Sequence, residues 1–156
     1  MFKEGGIMRK SERIYQLALK MKKKNLIIIE KFLLIILKVV FNFDIQTPAD
    51  IHPTAQFVHN GMGCVIHPKT VIKANCSIYQ NVTIGGNTKI INGKQTNNGA
   101  PIIEEGCIIY SGACIAGPIK IGKNSIIGAN VVITKDIPEN SIVKNADVIV
   151  KQKKGS

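Results

Sequence analysis

Apolar residues recur at every sixth position over most of the chain, from Ile45 to about Lys144. Neither an α-helix, whose side chains repeat every 3.6 residues, nor a sheet strand, whose side chains alternate, generates this spacing. A period of six is typical of a parallel β-helix, in which each hexapeptide supplies one short strand and one corner. The apolar anchors are Ile45, Ile51, Phe57, Ile66, Ile72, Ile78, Ile84, Ile103, Ile109, Ile115, Ile121, Ile127 and Ile133.

A second regularity accompanies the first, because the residue four positions after each anchor is mostly small or β-branched. In a prism-shaped solenoid the anchor points into the core, and the small residue fits where two walls converge. The two patterns predict a mainly β protein, a parallel β-helix of about five coils with roughly eighteen residues each. The second set is Ala49, Ala55, Gly61, Thr70, Cys76, Val82, Cys107, Ala113, Ile119, Ser125, Val131 and Ile137.

The period of six is broken at two places. Residues 57–65 form a stretch of nine where six are expected, and residues 85–101 hold no anchor in register apart from Ile90 and Ile91. Loops with functional residues are placed at such breaks in a solenoid. We therefore expect 85–101 to leave the prism as an exposed loop, and we expect chemistry near one or both breaks.

The first part of the chain follows a different pattern. Apolar residues spaced three and four apart predict an amphipathic helix that ends in a basic run at 22–25. Residues 26–43 are far more apolar and are interrupted by few polar residues. The helix pattern comprises Ile14, Leu17, Ala18 and Met21, and the interruptions are Glu30, Lys31, Lys38 and Asn42. The predicted organisation is a helical segment at 1–44, a β-helix at 45–145 with the loop 85–101, and a basic tail at 146–156.

Three interpretations of residues 26–43 are open. The segment can be a helix packed in a hairpin or against partner subunits, a peripheral membrane contact aided by the lysine run, or a membrane span. A span needs roughly 20 apolar residues with few charges, and this run is slightly short and charged in its middle. It also lacks a cleavage site of small residues and lies too far from the start for a typical signal peptide. We favour the packed helix.

Charge and cysteine content narrow the function classes. The net charge of +11 suits a small polyanionic ligand or an anionic membrane surface. Nucleic acid is disfavoured, because the basic residues of the repeat region are scattered and no stacking aromatic residues interleave with them. The four cysteines show no metal-binding spacing and fit small, reduced core residues of a cytoplasmic protein. If the coil order continues across the second break, Cys76 and Cys107 stack on one face.

Of the three histidines, His59 is the candidate for chemistry. His52 and His67 occupy outward positions near different corners, and the spacing of the three does not bring them to one metal ion. His59 lies in the first break and is followed by two glycines, at Gly61 and Gly63, which let the backbone approach another group closely. A neutral imidazole can take a proton from a hydroxyl near pH 7. On spacing alone, a solvated loop histidine is an equal alternative.

Several runs carry a resemblance to a known family. The stretch from Ile51-His52-Pro53 through His59-Asn60-Gly61-Met62-Gly63-Cys64-Val65-Ile66, and Ile78-Tyr79-Gln80-Asn81-Val82-Thr83-Ile84-Gly85-Gly86, resemble the hexapeptide-repeat acyltransferases of the left-handed β-helix class. The runs at 121–124 and 127–132 do so too. The branch that they most resemble is that of serine acetyltransferase and its short relatives in polysaccharide and cell-wall gene contexts. The resemblance covers about 45–145.

The resemblance implies a left-handed β-helix that transfers acetyl from acetyl-CoA to an acceptor hydroxyl without a metal. It implies a cleft between neighbouring subunits of a homotrimer, with pairing of two trimers as a further option. His59 matches the catalytic histidine and would act as general base, with Asn60 and Gln80 as expected acceptor contacts. The expected CoA contacts are Gly85, Ser111, Gly112, Ala113, Gly128, Ala129 and Lys135.

Two departures from serine acetyltransferases bear on the acceptor. Val58 stands where those enzymes have Asp before the histidine, and the stretch 98–101 replaces an Arg-His pair. Both changes remove groups suited to an amino acid's ammonium and carboxylate. We therefore expect an O-acetyltransferase acting on a sugar or polysaccharide precursor. Serine O-acetyltransferase is the alternative, and a non-catalytic trimeric scaffold is the second alternative. We expect a cytoplasmic protein, with contact at the inner membrane face as an option through 26–43.

Overall fold

The computed structural model describes residues 8–91, 93–97 and 99–145. Residue 98 and the predicted basic tail at 146–156 lie outside the described residues. Two helices come first, α1 at Lys10–Lys23 and α2 at Ile27–Phe41, and they pack against each other as a hairpin. Short parallel strands follow and wind around a single axis, forming three flat faces of five, four and five strands. In the last coil the second face is continued by a single bridge between Ile121 and Ile137.

Each of these parallel strands belongs to one of the three faces. The first face has the order β1 (Asp44–Ile45), β4 (Val65–Ile66), β7 (Thr83–Gly85), β12 (Cys114–Ala116) and β15 (Val132–Ile133). The second face contains β2 (Asp50–Ile51), β5 (Val71–Ile72), β10 (Ile102–Ile103) and β13 (Lys120–Ile121). The third face contains β3 (Gln56–Phe57), β6 (Ser77–Ile78), β11 (Ile108–Ile109), β14 (Ile126–Ile127) and β16 (Ile142–Val143).

The register of these parallel pairs confirms the prediction of a parallel β-helix with five coils. Each anchor pairs with an anchor of the next coil, as Ile66 does with Ile45 on one side and Ile84 on the other. Every anchor is at most 6% exposed, and the residues four positions later are buried as well. The anchors therefore stack in three columns, one on each face, and all of them are isoleucine except Phe57. Together they stabilise the fold by removing apolar surface from water.

The second break contains regular structure of its own. The stretch predicted as an exposed loop includes two antiparallel strands, β8 at Thr88–Ile91 and β9 at Lys94–Asn97, which form a hairpin. Gly93 in the turn has a φ of 72°, the sign that tight hairpin turns require. The excursion leaves after the first face and returns to the second face of the same coil, because β7 and β10 both pair with the strands directly above them.

Helix α1 closes the open end of the β-helix. The Glu12 carboxylate accepts a hydrogen bond from the Phe57 backbone N–H at 2.7 Å, and the Tyr15 hydroxyl donates to the Ala49 carbonyl at 2.9 Å. Strand edges with unpaired backbone groups invite pairing with other chains, and side chains of α1 satisfy these groups instead. For this reason the buried face of α1 is partly polar. Leu17 was predicted to lie on the apolar, buried face of this helix, and that prediction is wrong because Leu17 is 44% exposed.

Helix α2 rests on α1 and on the first coil through one side only. Leu37 is fully buried there, and Glu30 is buried beside the Lys22 ammonium at 3.6 Å, where it also accepts a hydrogen bond from the Thr47 hydroxyl. Three of the polar residues that interrupt this apolar segment, Lys31, Lys38 and Asn42, are exposed. Among the described residues, no helix has both the length and the apolar character of a membrane span.

Two corners of the prism turn through residues in the left-handed backbone region. At the corner from the second to the third face, Gly106 has a φ of 73° and Asn124 a φ of 54°. Asn and Gly tolerate this region better than other residues. A Cβ on Gly106 would lie 2.3 Å from the Asn124 Oδ1, so the asparagine of one coil fills the space left by the glycine of the coil before it.

The predicted stacking of Cys76 and Cys107 is confirmed at this same corner. Each precedes a strand of the third face, and the Ser77 N–H donates to the Cys107 carbonyl at 2.8 Å. The Cys76 thiol donates to the Glu104 carbonyl at 3.0 Å, and the hydrogen bond with the Cys107 side chain, together with burial, raises the pKa of Cys76. Both thiols are buried core residues.

We expect Gly106→Ala to lower the free energy of unfolding by roughly 2–4 kcal/mol, because it adds left-handed strain and an overlap with Asn124. Urea denaturation measures this change. Adding Asn124→Gly should recover about 1 kcal/mol or more, because the overlap disappears while the strain stays. Strictly additive effects of the two substitutions would contradict the stacking of glycine over asparagine.

Candidate active site

His59 lies in a short loop that carries the chain from the third face of the first coil to the first face of the second. The loop begins with a 3₁₀ turn at Val58–Gly61. His59 and Asn60 have φ values of 56° and 58°, and Gly61 follows at 71°. For a residue with a Cβ this conformation costs about 1 kcal/mol. Strain of this kind persists where the surrounding structure fixes it, often at functional sites.

Contacts on both sides hold the loop in this conformation. Gly61 is buried so closely against Phe43 that a Cβ would lie 2.8 Å from the ring, and Phe43 itself stacks on Phe57 with ring centroids 4.8 Å apart. On the other side, the Gly63 N–H donates to the Asn42 carbonyl at 2.8 Å. The turn is therefore fixed by the core, while the His59 side chain is exposed.

Most of the predicted site residues stack below this loop along a single corner, from the third face to the first. We call this corner, comprising 58–64, 79–82, 110–113 and 128–131, the site edge. Hydrogen bonds connect its levels: Gly112 N–H donates to the Gln80 carbonyl at 3.2 Å, and Asn130 N–H donates to the Ser111 carbonyl at 3.0 Å. The site edge includes seven of the predicted site residues: Asn60, Gln80, Ser111, Gly112, Ala113, Gly128 and Ala129.

Gly112 has a structural reason to be glycine. Its φ is 71°, and a Cβ would lie 2.0 Å from the Asn130 Oδ1. Gly63 and Asn81 repeat this arrangement at the upper levels of the edge, where the corresponding distance is 1.9 Å. The asparagine of one coil therefore fills the space left by the glycine of the coil before it, which keeps the site edge narrow.

Gln80 combines burial with an unsatisfied polar atom. Its Oε1 is buried and has no hydrogen-bond partner among the residues that the structure describes. Buried polar atoms in native proteins are nearly always paired, so each exception needs an explanation. One coil below His59, this carbonyl oxygen is free to accept a hydrogen bond from a bound molecule.

Two other predicted residues lie elsewhere. Gly85 ends strand β7 and pairs with Ala116, and Lys135 follows strand β15. Both are at the corner from the first to the second face, one face away from the site edge. A Cβ at Gly85 would meet no atom within 4 Å, so this position is open. The structure therefore does not bring Gly85 and Lys135 together with His59 within one chain.

Sequence reasoning missed a pair of aromatic residues beside the site edge. Tyr79 and Tyr110 stack with ring centroids 5.0 Å apart and directly precede Gln80 and Ser111. Both tyrosines follow the last residue of a third-face strand, so the six-residue repeat places them at equivalent positions of neighbouring coils. Their shared position in the repeat was the signal that could have identified them.

The remaining histidines take part in local turns. The His52 Nδ1 lies 2.9 Å from the Thr54 hydroxyl, and the His67 Nδ1 accepts a hydrogen bond from the Lys69 N–H at 3.1 Å. They lie at different corners, as predicted. Within the described residues, no group of three His, Cys, Asp or Glu side chains is placed to hold a metal ion.

Comparison with known proteins agrees with this arrangement. The family described as bacterial transferase hexapeptide (six repeats) matches residues 100–135. The plasmid serine acetyltransferase of Synechococcus elongatus is 35% identical over 115 residues, which is 66% of this chain and 35% of that protein. Among solved structures, Neisseria gonorrhoeae serine acetyltransferase in complex with serine has a TM-score of 0.76 at 27% identity, covering 87% of this chain and 53% of that one.

A serine acetyltransferase in complex with CoA superposes with a TM-score of 0.73 at 31% identity, covering 85% of this chain and 52% of that one. The chain carries the hexapeptide repeats and the fold of serine acetyltransferase-like acyltransferases. Its coils accordingly wind as a left-handed parallel β-helix, which confirms the predicted fold class. This serine acetyltransferase-like chain spans about half the length of the solved relatives, and less of the Synechococcus protein.

The expectation of a sugar or polysaccharide acceptor is wrong. The Synechococcus relative and the two solved structures named above are serine acetyltransferases, which favours the alternative acceptor, serine. The expectation rested on two missing side chains, at Val58 and in 98–101. A missing side chain removes one contact, but other residues of the folded chain can supply the hydrogen bonds that an amino acid needs, and sequence spacing does not show them.

A cysteine nucleophile is disfavoured at this serine acetyltransferase-like site. Cys64 is the cysteine in the His59 loop, where its thiol donates to the Tyr79 carbonyl at 3.1 Å. Burial raises the pKa of Cys64 to about 11. At neutral pH it stays a thiol, whereas the thiolate is the nucleophilic form.

Proposed function

We propose that this chain is a serine O-acetyltransferase that takes the acetyl group from acetyl-CoA. The observation that carries the proposal is the position of His59, held by a strained turn at the head of a narrow, accessible edge. The similarity to serine acetyltransferases solved with serine and with CoA supports the same choice of substrates.

His59 is the general base of the proposed reaction. As the serine hydroxyl oxygen bonds to the thioester carbonyl carbon, the imidazole takes the hydroxyl proton. The carbon–sulfur bond then breaks, and the imidazolium returns the proton to the departing CoA sulfur. The products are O-acetylserine and CoA, with no covalent enzyme intermediate. Holding both substrates side by side supplies much of the rate enhancement.

The site edge is the proposed path of the CoA arm. Ser111, Gly112 and Gly128 are partly exposed along this edge and Ala129 is exposed, so a long, thin ligand can lie against them, and the tyrosine pair borders this path. Ala113 lies buried behind them. Gly85 and Lys135 stay proposed CoA contacts, but they would act from the opposite edge of the first face. Lys135 would contribute positive charge to phosphate groups.

We assign the acceptor's ammonium group to Gln80 and a further polar contact to Asn60. A side-chain carbonyl is a suitable acceptor for an ammonium group, and the Gln80 Oε1 is buried and unpaired in the described structure. This contact would replace the carboxylate that is missing at Val58. Asn60 neighbours His59 in the same turn and carries both a donor and an acceptor.

A homotrimer completes the proposed assembly, with pairing of two trimers as its extension. Exposed apolar residues border the site edge on both sides: Val65 and Val132 on the first face are 47% and 69% exposed, and Ile142 on the third face is 73% exposed. Burying such residues between subunits is favourable. Neighbouring subunits would then meet beside the site edge and enclose the substrates.

We expect His59→Asn to lower kcat/KM for serine acetylation by roughly 10²–10⁴-fold, because the general base is lost. Asparagine is chosen because it tolerates the left-handed conformation of this position. Release of the CoA thiol from acetyl-CoA in the presence of L-serine measures the rate. His52→Asn, at another corner, is the matched control and should keep wild-type turnover. Wild-type turnover in His59→Asn would rule out the base assignment.

If the folded wild-type chain releases no CoA with L-serine under any condition, the activity itself is refuted. The non-catalytic scaffold then becomes the better interpretation. Release of CoA with other hydroxyl compounds but not with serine would keep His59 as base and overturn the acceptor.

A second substitution tests the acceptor contact. We expect Gln80→Met to raise the KM for serine by roughly 10–100-fold, because a hydrogen bond to a charged group is lost. The KM for 3-hydroxypropionate, which lacks the ammonium group, should change little. Steady-state kinetics with both acceptors gives the comparison. An equal effect on both would show that Gln80 does not read the ammonium group.

A further inference from the structure

The outer side of α2 is an uncovered apolar stripe. Ile28, Phe32, Ile35 and Val39 are spaced four, three and four apart, which places them on one helix face, and they are 86%, 61%, 58% and 76% exposed. The helix is packed through its opposite side, where Leu37 is fully buried. Exposed apolar patches of this kind mark surfaces that contact a partner or a membrane.

The outer side of α1 is basic. Four basic residues surround Leu17 at helical spacing, namely Lys10, Arg13, Lys20 and Lys24. All five residues are exposed. The last residue of α1, Lys23, is exposed as well. The hairpin thus presents a cationic helix beside an apolar one.

Acidic side chains of the hairpin do not reach this outer surface. Glu12 and Glu30 are each only 6% exposed, and both are occupied by hydrogen bonds or an ion pair inside the fold. Between residues 9 and 43 they are the only acidic residues. The basic residues of the same segment are Arg9, Lys10, Arg13, Lys20, Lys22, Lys23, Lys24, Lys31 and Lys38.

We propose that the α1–α2 hairpin docks on an anionic membrane surface. Helix α2, with 15 residues and a length of about 22 Å, lies parallel to the surface and buries its apolar stripe at the boundary between headgroups and acyl chains. Lys31 borders the stripe, and the basic side of α1 faces the anionic headgroups. Each lysine near such a surface contributes to binding through the negative surface potential.

Charge favours a membrane over a second copy of the chain. A symmetric pair of hairpins that joined through the apolar stripe would bring the basic residues bordering it, such as Lys31, close together in the two copies. Like charges in contact oppose association, and the hairpin offers no exposed carboxylate to offset them. An anionic membrane offers acyl chains to the apolar stripe of α2 and negatively charged headgroups to the basic side of α1. The inference is independent of the proposed acetyl transfer.

Vesicle flotation with the full chain tests this docking surface. We expect binding to vesicles that contain phosphatidylglycerol, little binding to pure phosphatidylcholine, and weaker binding at high salt. Phe32→Ser and Val39→Ser should each lower the partition coefficient by roughly tenfold. Lys23→Gln should lower it by roughly fivefold on anionic vesicles only. Ile102→Ser, an exposed apolar position on the second face, is the matched control and should bind like wild type.

Three outcomes would overturn the proposal. One is a folded wild-type chain that does not float with anionic vesicles. Another is unchanged flotation of Phe32→Ser and Val39→Ser when circular dichroism shows that they are folded. The last is a wild-type chain that does not bind vesicles and has a higher sedimentation mass than these two variants, which would assign the stripe to a second copy of the chain.

Discussion

The hydrogen-bonded register between successive coils is the constraint on which the rest of this structure depends. Because every strand pairs in parallel with the strand one coil above, residues at equivalent repeat positions stack into columns. The anchor columns fill the core, and alternating glycine and asparagine form the corners. The same register places Gln80, Ser111 and Ala129 in line beneath His59. The site is therefore a consequence of the repeat and of one departure from it.

That departure is the stretch of extra residues between the third and first faces. The added length is accommodated by three consecutive left-handed residues, fixed by the Phe43 ring on one side and by the Asn42 carbonyl on the other. Regular hexapeptides would bury or flatten this corner. The strain in His59 and Asn60 is stabilised by the surrounding core, and it keeps an imidazole exposed at the top of the edge.

Prediction from sequence succeeded where the six-residue period determines the structure. It failed where contacts between distant segments determine which residues are buried or which molecule binds. The anchors, the five coils and the His59 loop follow from spacing. The buried face of α1 does not, because Glu12 turns inward to pair with the Phe57 backbone, 45 positions away. The hairpin at 88–97 was not recognised within a polar stretch. The acceptor was misjudged because Val58 shows which carboxylate is missing, whereas the buried, unpaired Oε1 of Gln80 is visible only in the folded chain.

Hydrogen–deuterium exchange in the presence of CoA tests the central claim most directly, that the site edge is where the substrates bind. The account predicts slower exchange of the amides of Gly112, Ala113 and Ala129 when CoA is added, with Gly106 and Asn124 at the neighbouring corner unchanged. Slower exchange at Gly106 and Asn124, with none along the site edge, would contradict it.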